Sequence, residues 1–372
     1  MATDLYRQNV QSDVMNGVYV ATRGIADTWD THFRSQSYTL LQRLIRNLLL
    51  QRPQLDKFKS ITTVAPNFVD PNRVYILGFS AGGDGVYRLA SVLSDRFAAA
   101  NMSAGHPGKA KLINLANVPI CLQMGEGDSA CGRNTSIVTA GKELKRYRHG
   151  KYYINDIFIH FTPVSAGDPH NSWERTEELT NIEAPVIRDW ENFTGAGSVP
   201  TREMRNTCAV LWMSEYIRNP LPKTVVWDMS TSEAPPEFPA EWGKYRYYYW
   251  LAVEQNPTDS KGTTVRATYD KVRNEVWIGE TSNLLTKFIV LLNEYMMDLR
   301  QPVNVIYGPQ RKVTQSVTVT RDGNIQKATL SARGDPFYVF SAAIVVDLKD
   351  PKLMTVKDGG SDIFSTVPKA KL

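Results

Sequence analysis

The sequence predicts an α/β fold: a doubly wound, mainly parallel sheet followed by a small all-β, sandwich-like domain. Three observations carry the prediction. Val74–Leu77 is an apolar run too short for a helix; the turn Gly78-Phe79-Ser80-Ala81-Gly82 follows it, and then an amphipathic segment, Val86–Leu93. Around this unit, short apolar runs alternate with helix-period segments as far as Ile217, the pattern of parallel strands joined by helical crossovers. Beyond Asn219-Pro220-Leu221-Pro222 strand-like runs dominate. The predicted boundaries are 1–221 for the α/β domain, 222–349 for the β-domain and 350–372 for a flexible tail.

Taken in order, Gly17–Thr22 reads as a short buried strand, and Tyr38–Leu50 as a helix with Leu40, Leu41, Leu44, Ile45, Leu48 and Leu49 at helical spacing. After the Val74 unit come a strand at Ala98–Ser103, another at Val118–Met124, a helix at Thr135–His149 and a strand at Ile154–Val164. Helices follow at Trp173–Phe193 and Met204–Ile217. In the β-domain the strands are Thr224–Asp228, Tyr245–Glu254, Thr263–Asp270, Glu275–Glu280, Leu285–Leu292, Val303–Tyr307, Val313–Thr320 and Ala343–Leu348. Thr231–Pro239 is rich in proline and reads as an exposed loop.

Composition narrows the function classes. With 372 residues and 42% hydrophobic content, the chain can bury a sizeable core, and it has no apolar run of membrane-spanning length. The net charge of +5 is spread among interleaved acids and bases. The densest basic stretch, Lys142–Lys151, reads as a solvated helix end, so neither nucleic acid nor a membrane is expected as a partner. Cys121, Cys131 and Cys208 fit no zinc or redox spacing, and no metal or other cofactor is expected. The polar segment Met1–Asn9 has no apolar signal core, which points to the cytoplasm; the terminal Ala370-Lys371-Leu372 resembles a peroxisomal address. The run Tyr245–Trp250 reads as a strand in the core rather than a sugar-binding face, and Arg333-Gly334-Asp335 as a turn rather than an adhesion motif.

The chemistry is concentrated at G-x-S-x-G. Between a strand and a helix this pattern is a nucleophile elbow: small neighbours let the backbone turn sharply, and the serine oxygen stands clear of the sheet at a helix N-terminus. A nucleophilic serine needs a base, and the base needs an acid to orient it. In such a sheet these follow in the order Ser, Asp or Glu, His, on loops after later strands. Asp128 follows the strand ending at Met124, and His170 the strand ending at Val164. Asp168 and Glu126 are the alternative acids. Of the other histidines, His160 lies within a strand, His149 ends a basic helix and His32 lies on an early loop. His106 follows a strand end and, with Trp29, is a candidate for the substrate pocket. The Ala81 N–H is the expected oxyanion donor. Asp84, in the first turn of the elbow helix, reads mainly as a helix-terminal charge, with a substrate or loop-anchoring role as the alternative.

The stretch Asp70–Tyr87, together with Ala98–Pro107, the Gly125–Asp128 turn, Val225-Val226-Trp227 and Tyr249–Val253, resembles esterase-like α/β-hydrolases. These are the hydrolases grouped near the prolyl-oligopeptidase-type and polyhydroxybutyrate-depolymerase-like enzymes, and the resemblance runs from about Gly17 to Leu348. It implies a Ser80–Asp128–His170 triad and a serine hydrolase of carboxylesterase type that acts on a small-molecule ester. A peptidase is the alternative within the same chemistry. Such hydrolases carry a His-Gly-Gly-Gly-like loop before the elbow, which supplies the second oxyanion N–H. No such motif precedes Ser80. The resemblance therefore implies a chain truncated at its N-terminus, with secretion left open, or a Gly17 strand that pairs directly with the Val74 strand. It also leaves a third reading, a catalytically impaired hydrolase fold that binds a ligand or partner. The exposed central edge is an expected site of self-association.

Overall fold

The computed structural model describes residues 17–22, 35–50, 69–125, 127–147, 157–162, 170, 209–230, 245–254, 264–281, 285, 287–308, 313–348 and 354–360. The chain divides into two compact units, one of Met1–Phe33 and Asn72–Asn219, the other of Arg34–Pro71 and Pro220–Leu372.

Among the described residues the first unit is built on four parallel strands, β1 (Tyr75–Phe79), β2 (Ala99–Ser103), β3 (Ile120–Gly125) and β4 (Ile157–Thr162), which lie side by side in chain order. Helix α2 (Ala81–Val92) packs on β1 and β2, α3 (Arg133–Tyr147) on β3 and β4, and α4 (Ala209–Ser214) on β2; α1 belongs to the other unit and is described below. Every residue of β2 and β3 is buried, as their near-continuous apolar runs require of strands covered on both faces. Burying a side chain such as Leu122 or Met124 contributes about 1.5–3 kcal/mol relative to exposure. All five residues of β1 are only partly buried.

Gly17–Thr22 is not a strand. It carries no regular structure, and Val18 and Val20 are 55% and 43% exposed. β-Branched residues favour strands because they fit a half-buried pleated surface, and both valines of this segment are exposed. The direct pairing of Gly17 with the elbow strand is therefore absent. Among the described residues the strands run one to four without the reversal of order that double winding needs. The helix expected at Trp173–Phe193 lies outside the described residues.

In the second unit, α1 (Ser35–Leu50) buries Tyr38, Gln42 and Ile45, which fall on one helical face, while Leu40 is 45% exposed. Its place in the sequence suggested the first domain. It groups instead with the β-rich unit, where Tyr38 lies close enough to Arg246 to act on its charge. Among the described residues ten strands form two five-stranded sheets. One has the order β14 (Thr355–Asp358), β13 (Ala342–Asp347), β10 (Lys287–Leu292), β7 (Leu251–Glu254), β6 (Tyr245–Tyr248), all antiparallel. The other has the order β12 (Val313–Val317), β11 (Val303–Tyr307), β9 (Glu275–Thr281), β8 (Thr264–Asp270), β5 (Thr224–Asp228), antiparallel except for the parallel pair β9–β11. Trp227 of β5 stacks on Tyr248 of β6 at 5.2 Å, and the Arg246 guanidinium lies over the Trp227 ring. Burial pulls that guanidinium down to about 10.

Three expectations for this unit change. Tyr245–Glu254 is not one strand but a hairpin, β6–β7, turning at Tyr249-Trp250 with Tyr249 at φ 49°. Its turn has none of the glycine or asparagine that marks such turns. Packing holds it: Tyr338 donates to the Tyr249 carbonyl, and Trp250 Nε1–H to the Pro222 carbonyl. Helix α5 (Gly323–Arg333) was not expected. It is capped by Asp322, which accepts from the Asn324 N–H, and it stops at Gly334 with φ 60°. Thr355–Asp358, placed in the flexible tail, pairs with β13 as an edge strand. Tyr247, Tyr248, Tyr249 and Trp250 are at most 3% exposed, which leaves no aromatic platform for a sugar, and Arg333 and Asp335 are fully buried, which leaves no adhesion tripeptide.

Candidate active site

The C-terminal ends of β1, β2 and β3 converge on Ser80. The residue sits between β1 and α2 with φ 55° and ψ −121°, a conformation that costs a non-glycine residue about 1–3 kcal/mol. Two backbone hydrogen bonds hold it there. The Ser80 N–H donates to the Ser103 carbonyl at 2.9 Å, and the Asp84 N–H donates to the Ser80 carbonyl at 3.1 Å. The turn needs a close approach at Gly78, where a Cβ would lie 2.2 Å from the Gly82 carbonyl oxygen. A second close approach joins Gly83 of α2 to the end of β2 and the loop after it: a Cβ on Gly83 would lie 2.7 Å from the Ser103 carbonyl oxygen and 3.0 Å from Gly105 Cα, and one on Gly105 would lie 2.6 Å from the Gly83 carbonyl carbon. Gly82, the last glycine of the motif, has nothing within 4 Å of where its Cβ would be.

Asp128 lies in the turn after β3. Its N–H donates to the Gly125 carbonyl and its own carbonyl accepts from the Asn134 N–H, both at 3.0 Å, and the residue is 3% exposed. His170 bridges the two groups. Its Nδ1 is 2.7 Å from Asp128 Oδ2, and its Nε2 is 3.0 Å from Ser80 Oγ. A carboxylate can only accept, so Nδ1 carries the proton and Nε2 is left as the acceptor facing the serine hydroxyl. The Phe79 ring lies 5.1 Å from the imidazole and packs against it. The structure thus brings together Ser80, Asp128 and His170, three residues separated by up to 90 positions.

The other candidates are distributed as follows. Ala81 is the first residue of α2, so its N–H has no intrahelical acceptor and lies next to the serine. Asp84 anchors the loop after β2: its Oδ1 accepts from the His106 N–H at 2.5 Å. His106 is half-buried, and its Nδ1 accepts from the Gly108 N–H at 2.9 Å, so in the neutral ring the proton is on Nε2. Asp84→Ala removes a charged acceptor and is expected to cost about 1.5–3 kcal/mol in urea unfolding, whereas Asp84→Asn, which keeps an oxygen at that position, costs less. Asp84 also adds to the effect of burial in pushing the Tyr87 phenol above its ordinary range. Trp29, Glu126, His32, His149 and Asp168 lie outside the described residues, as do Cys208 and Ala370-Lys371-Leu372. Among the described residues no group of three His, Cys, Asp or Glu side chains could hold a metal ion, and no helix is long and apolar enough to cross a membrane.

Two features of the site were not read from the sequence. One is the Gly83–Gly105 contact, whose partners have no fixed spacing. The other is Arg133, whose Nη1 lies 3.6 Å from Asp128 Oδ1. A buried polar ladder also runs beneath the elbow: Asn101 Nδ2 donates to Ser103 Oγ at 3.0 Å, and Ser103 Oγ donates to Gln123 Oε1 at 2.9 Å.

Neither a protein family nor a curated protein matches the chain. Among solved structures, a thermostable esterase is similar over 52% of this chain and 41% of that one, with 20% identity and a TM-score of 0.32. The chain spans less than half the length of that neighbour.

Proposed function

We propose that this protein is a serine hydrolase that cleaves a carboxylic ester through an acyl-enzyme on Ser80. The observation that carries the reading is the continuous relay from Ser80 Oγ through His170 to Asp128, at 3.0 and 2.7 Å, with the serine held at positive φ. In the first half-reaction Ser80 Oγ attacks the ester carbonyl carbon while its proton passes to His170 Nε2. Negative charge develops on the carbonyl oxygen, where the Ala81 N–H at the helix terminus is placed to donate to it. Collapse expels the alcohol, which takes the proton from Nε2. Water then attacks the acyl-enzyme with His170 as base, releasing the acid and restoring Ser80. Asp128 remains a carboxylate throughout and stabilises the imidazolium.

The test is covalent labelling. A fluorophosphonate probe is expected to modify wild-type protein at Ser80, and Ser80→Ala is expected to abolish the adduct in mass spectrometry of the intact, folded chain. Folded wild-type protein that takes no label overturns the proposal. Turnover of p-nitrophenyl acetate and butyrate against aminoacyl p-nitroanilides separates ester from amide preference, and the ester series is expected to be faster.

A further inference from the structure

We propose that Arg133 is a positioning residue for this site, fixing the plane of the Asp128 carboxylate so that Oδ2 is the oxygen that meets His170. The inference rests on the serine-hydrolase reading for its catalytic consequence, although the geometry stands apart from it. The Asp128 backbone is closed at both ends, by Gly125 and by Asn134. What remains free is the rotation of the carboxylate about its last bond, and that torsion is broad and roughly two-fold. One oxygen is 2.7 Å from His170 Nδ1, and the other faces Arg133 Nη1 at 3.6 Å. A hydrogen bond at one oxygen and a cation facing the other both oppose that turn.

The cost of having Arg133 there argues for a role outside local stability. It is the first residue of α3, where the helix dipole disfavours a cation, and no acid shares its first turn. Its side chain is 19% exposed, and its Nε is buried without a hydrogen-bond partner among the described residues. Nη1 is tethered to the Ala130 carbonyl at 3.4 Å, which keeps the guanidinium over the turn. A residue set against a local rule is where a site imposes its own requirement. Among the described residues the polar partners of Arg133 are Asp128 and Ala130, so its effect passes through Asp128 to His170.

The experiment compares wild type, Arg133→Met and Arg133→Lys. In Arg133→Met the second-order rate of fluorophosphonate labelling at Ser80 is expected to fall about 10- to 100-fold, the scale on which small misplacements act. Its kcat on p-nitrophenyl butyrate falls with KM unchanged. Arg133→Lys, which can return a cation to the single Oδ1 contact, restores most of the rate. A second readout needs no activity: the far-downfield proton of the His170 Nδ1–H···Asp128 bond is expected to shift or broaden in Arg133→Met and to return in Arg133→Lys. Wild-type labelling rate and an unshifted resonance in Arg133→Met overturn the inference. So do Met and Lys variants that are equally slow with equally lowered melting temperatures, since that pattern is purely structural. If wild type shows the resonance and the variants move it but no protein is labelled, positioning holds and the serine-hydrolase reading fails.

Discussion

Asp128→Asn is expected to lower kcat on p-nitrophenyl butyrate about 10⁴-fold while the protein keeps a cooperative thermal transition. The argument turns on protons rather than shape. In wild type the carboxylate can only accept, which places the imidazole proton on Nδ1 and leaves Nε2 to take the proton of Ser80. An asparagine offers one acceptor and one donor at the same positions. Arg133 decides which faces which. Its guanidinium is donor-only, so it draws the amide oxygen to the Oδ1 side and turns the NH₂ toward His170. Nδ1 must then accept, the proton moves to Nε2, and the base faces Ser80 already protonated. The amide flip that could rescue the tautomer is opposed by a cation 3.6 Å away. Steady-state kinetics with circular dichroism melting checks this. A variant retaining a tenth or more of wild-type kcat would mean that Asp128 does not set the tautomer.

The same residues show which parts of the molecule a sequence displays. Ser80, Asp128 and His170 could be named because each follows a strand and because the order of the three along the chain is constrained by the sheet. Strand ends are visible as apolar runs that stop, and the structure brings those ends together at one edge of the sheet. Arg133 is five residues beyond Asp128, in what reads as the start of an ordinary solvated helix. Its relation to the carboxylate depends on the 3₁₀ turn at Ala130–Gly132, where Cys131 takes φ 56°, and no spacing rule encodes that turn. Gly83 and Gly105 are glycines for each other, 22 positions apart, and only the packed elbow makes them a pair.

The misses in the fold have a common cause. Gly17–Thr22 and Tyr245–Glu254 both carry strong strand composition, yet one has no regular structure and the other turns in its middle. Composition reports what a segment could do against a suitable surface, and the surface is supplied by other parts of the chain. Helix α5 shows the reverse case. Its hydrophobic signal is weak, but Asp322 at its start and Gly334 at its end are helix start and stop signals that the sequence displays. The apolar stripe of α1 was visible, but a stripe does not say which unit it packs on.

Gly78→Ala is expected to be the most destabilising single-methyl change in the first unit, costing about 3 kcal/mol in urea unfolding, with loss of Ser80 labelling under conditions where the variant is still folded. A Cβ at this position would lie 2.2 Å from the Gly82 carbonyl oxygen, 2.5 Å from the Gly82 carbonyl carbon and 3.0 Å from Val86 Cγ2. Two of those atoms are backbone in the first turn of α2, so no side-chain rotation relieves them. Neither can the backbone give way freely, because the Ser80 N–H is bonded to Ser103 and the Asp84 N–H to Ser80. Separating β1 from α2 by the ångström needed would break one of these bonds and move Ser80 Oγ off the 3.0 Å line to His170. Gly82→Ala is the matched control. The same methyl four residues later meets nothing within 4 Å, lies inside the first turn of a helix and replaces the least helix-prone ordinary residue with the most helix-prone one. It is expected to leave stability unchanged or raise it by about 0.5–1 kcal/mol. The two glycines look equivalent in the motif, and the expected difference between the two alanines, about 3 kcal/mol or more, is the energetic signature of which one the elbow requires. Equal stability for the two variants would mean that β1 and α2 do not approach at Gly78 as closely as the 2.2 Å contact demands.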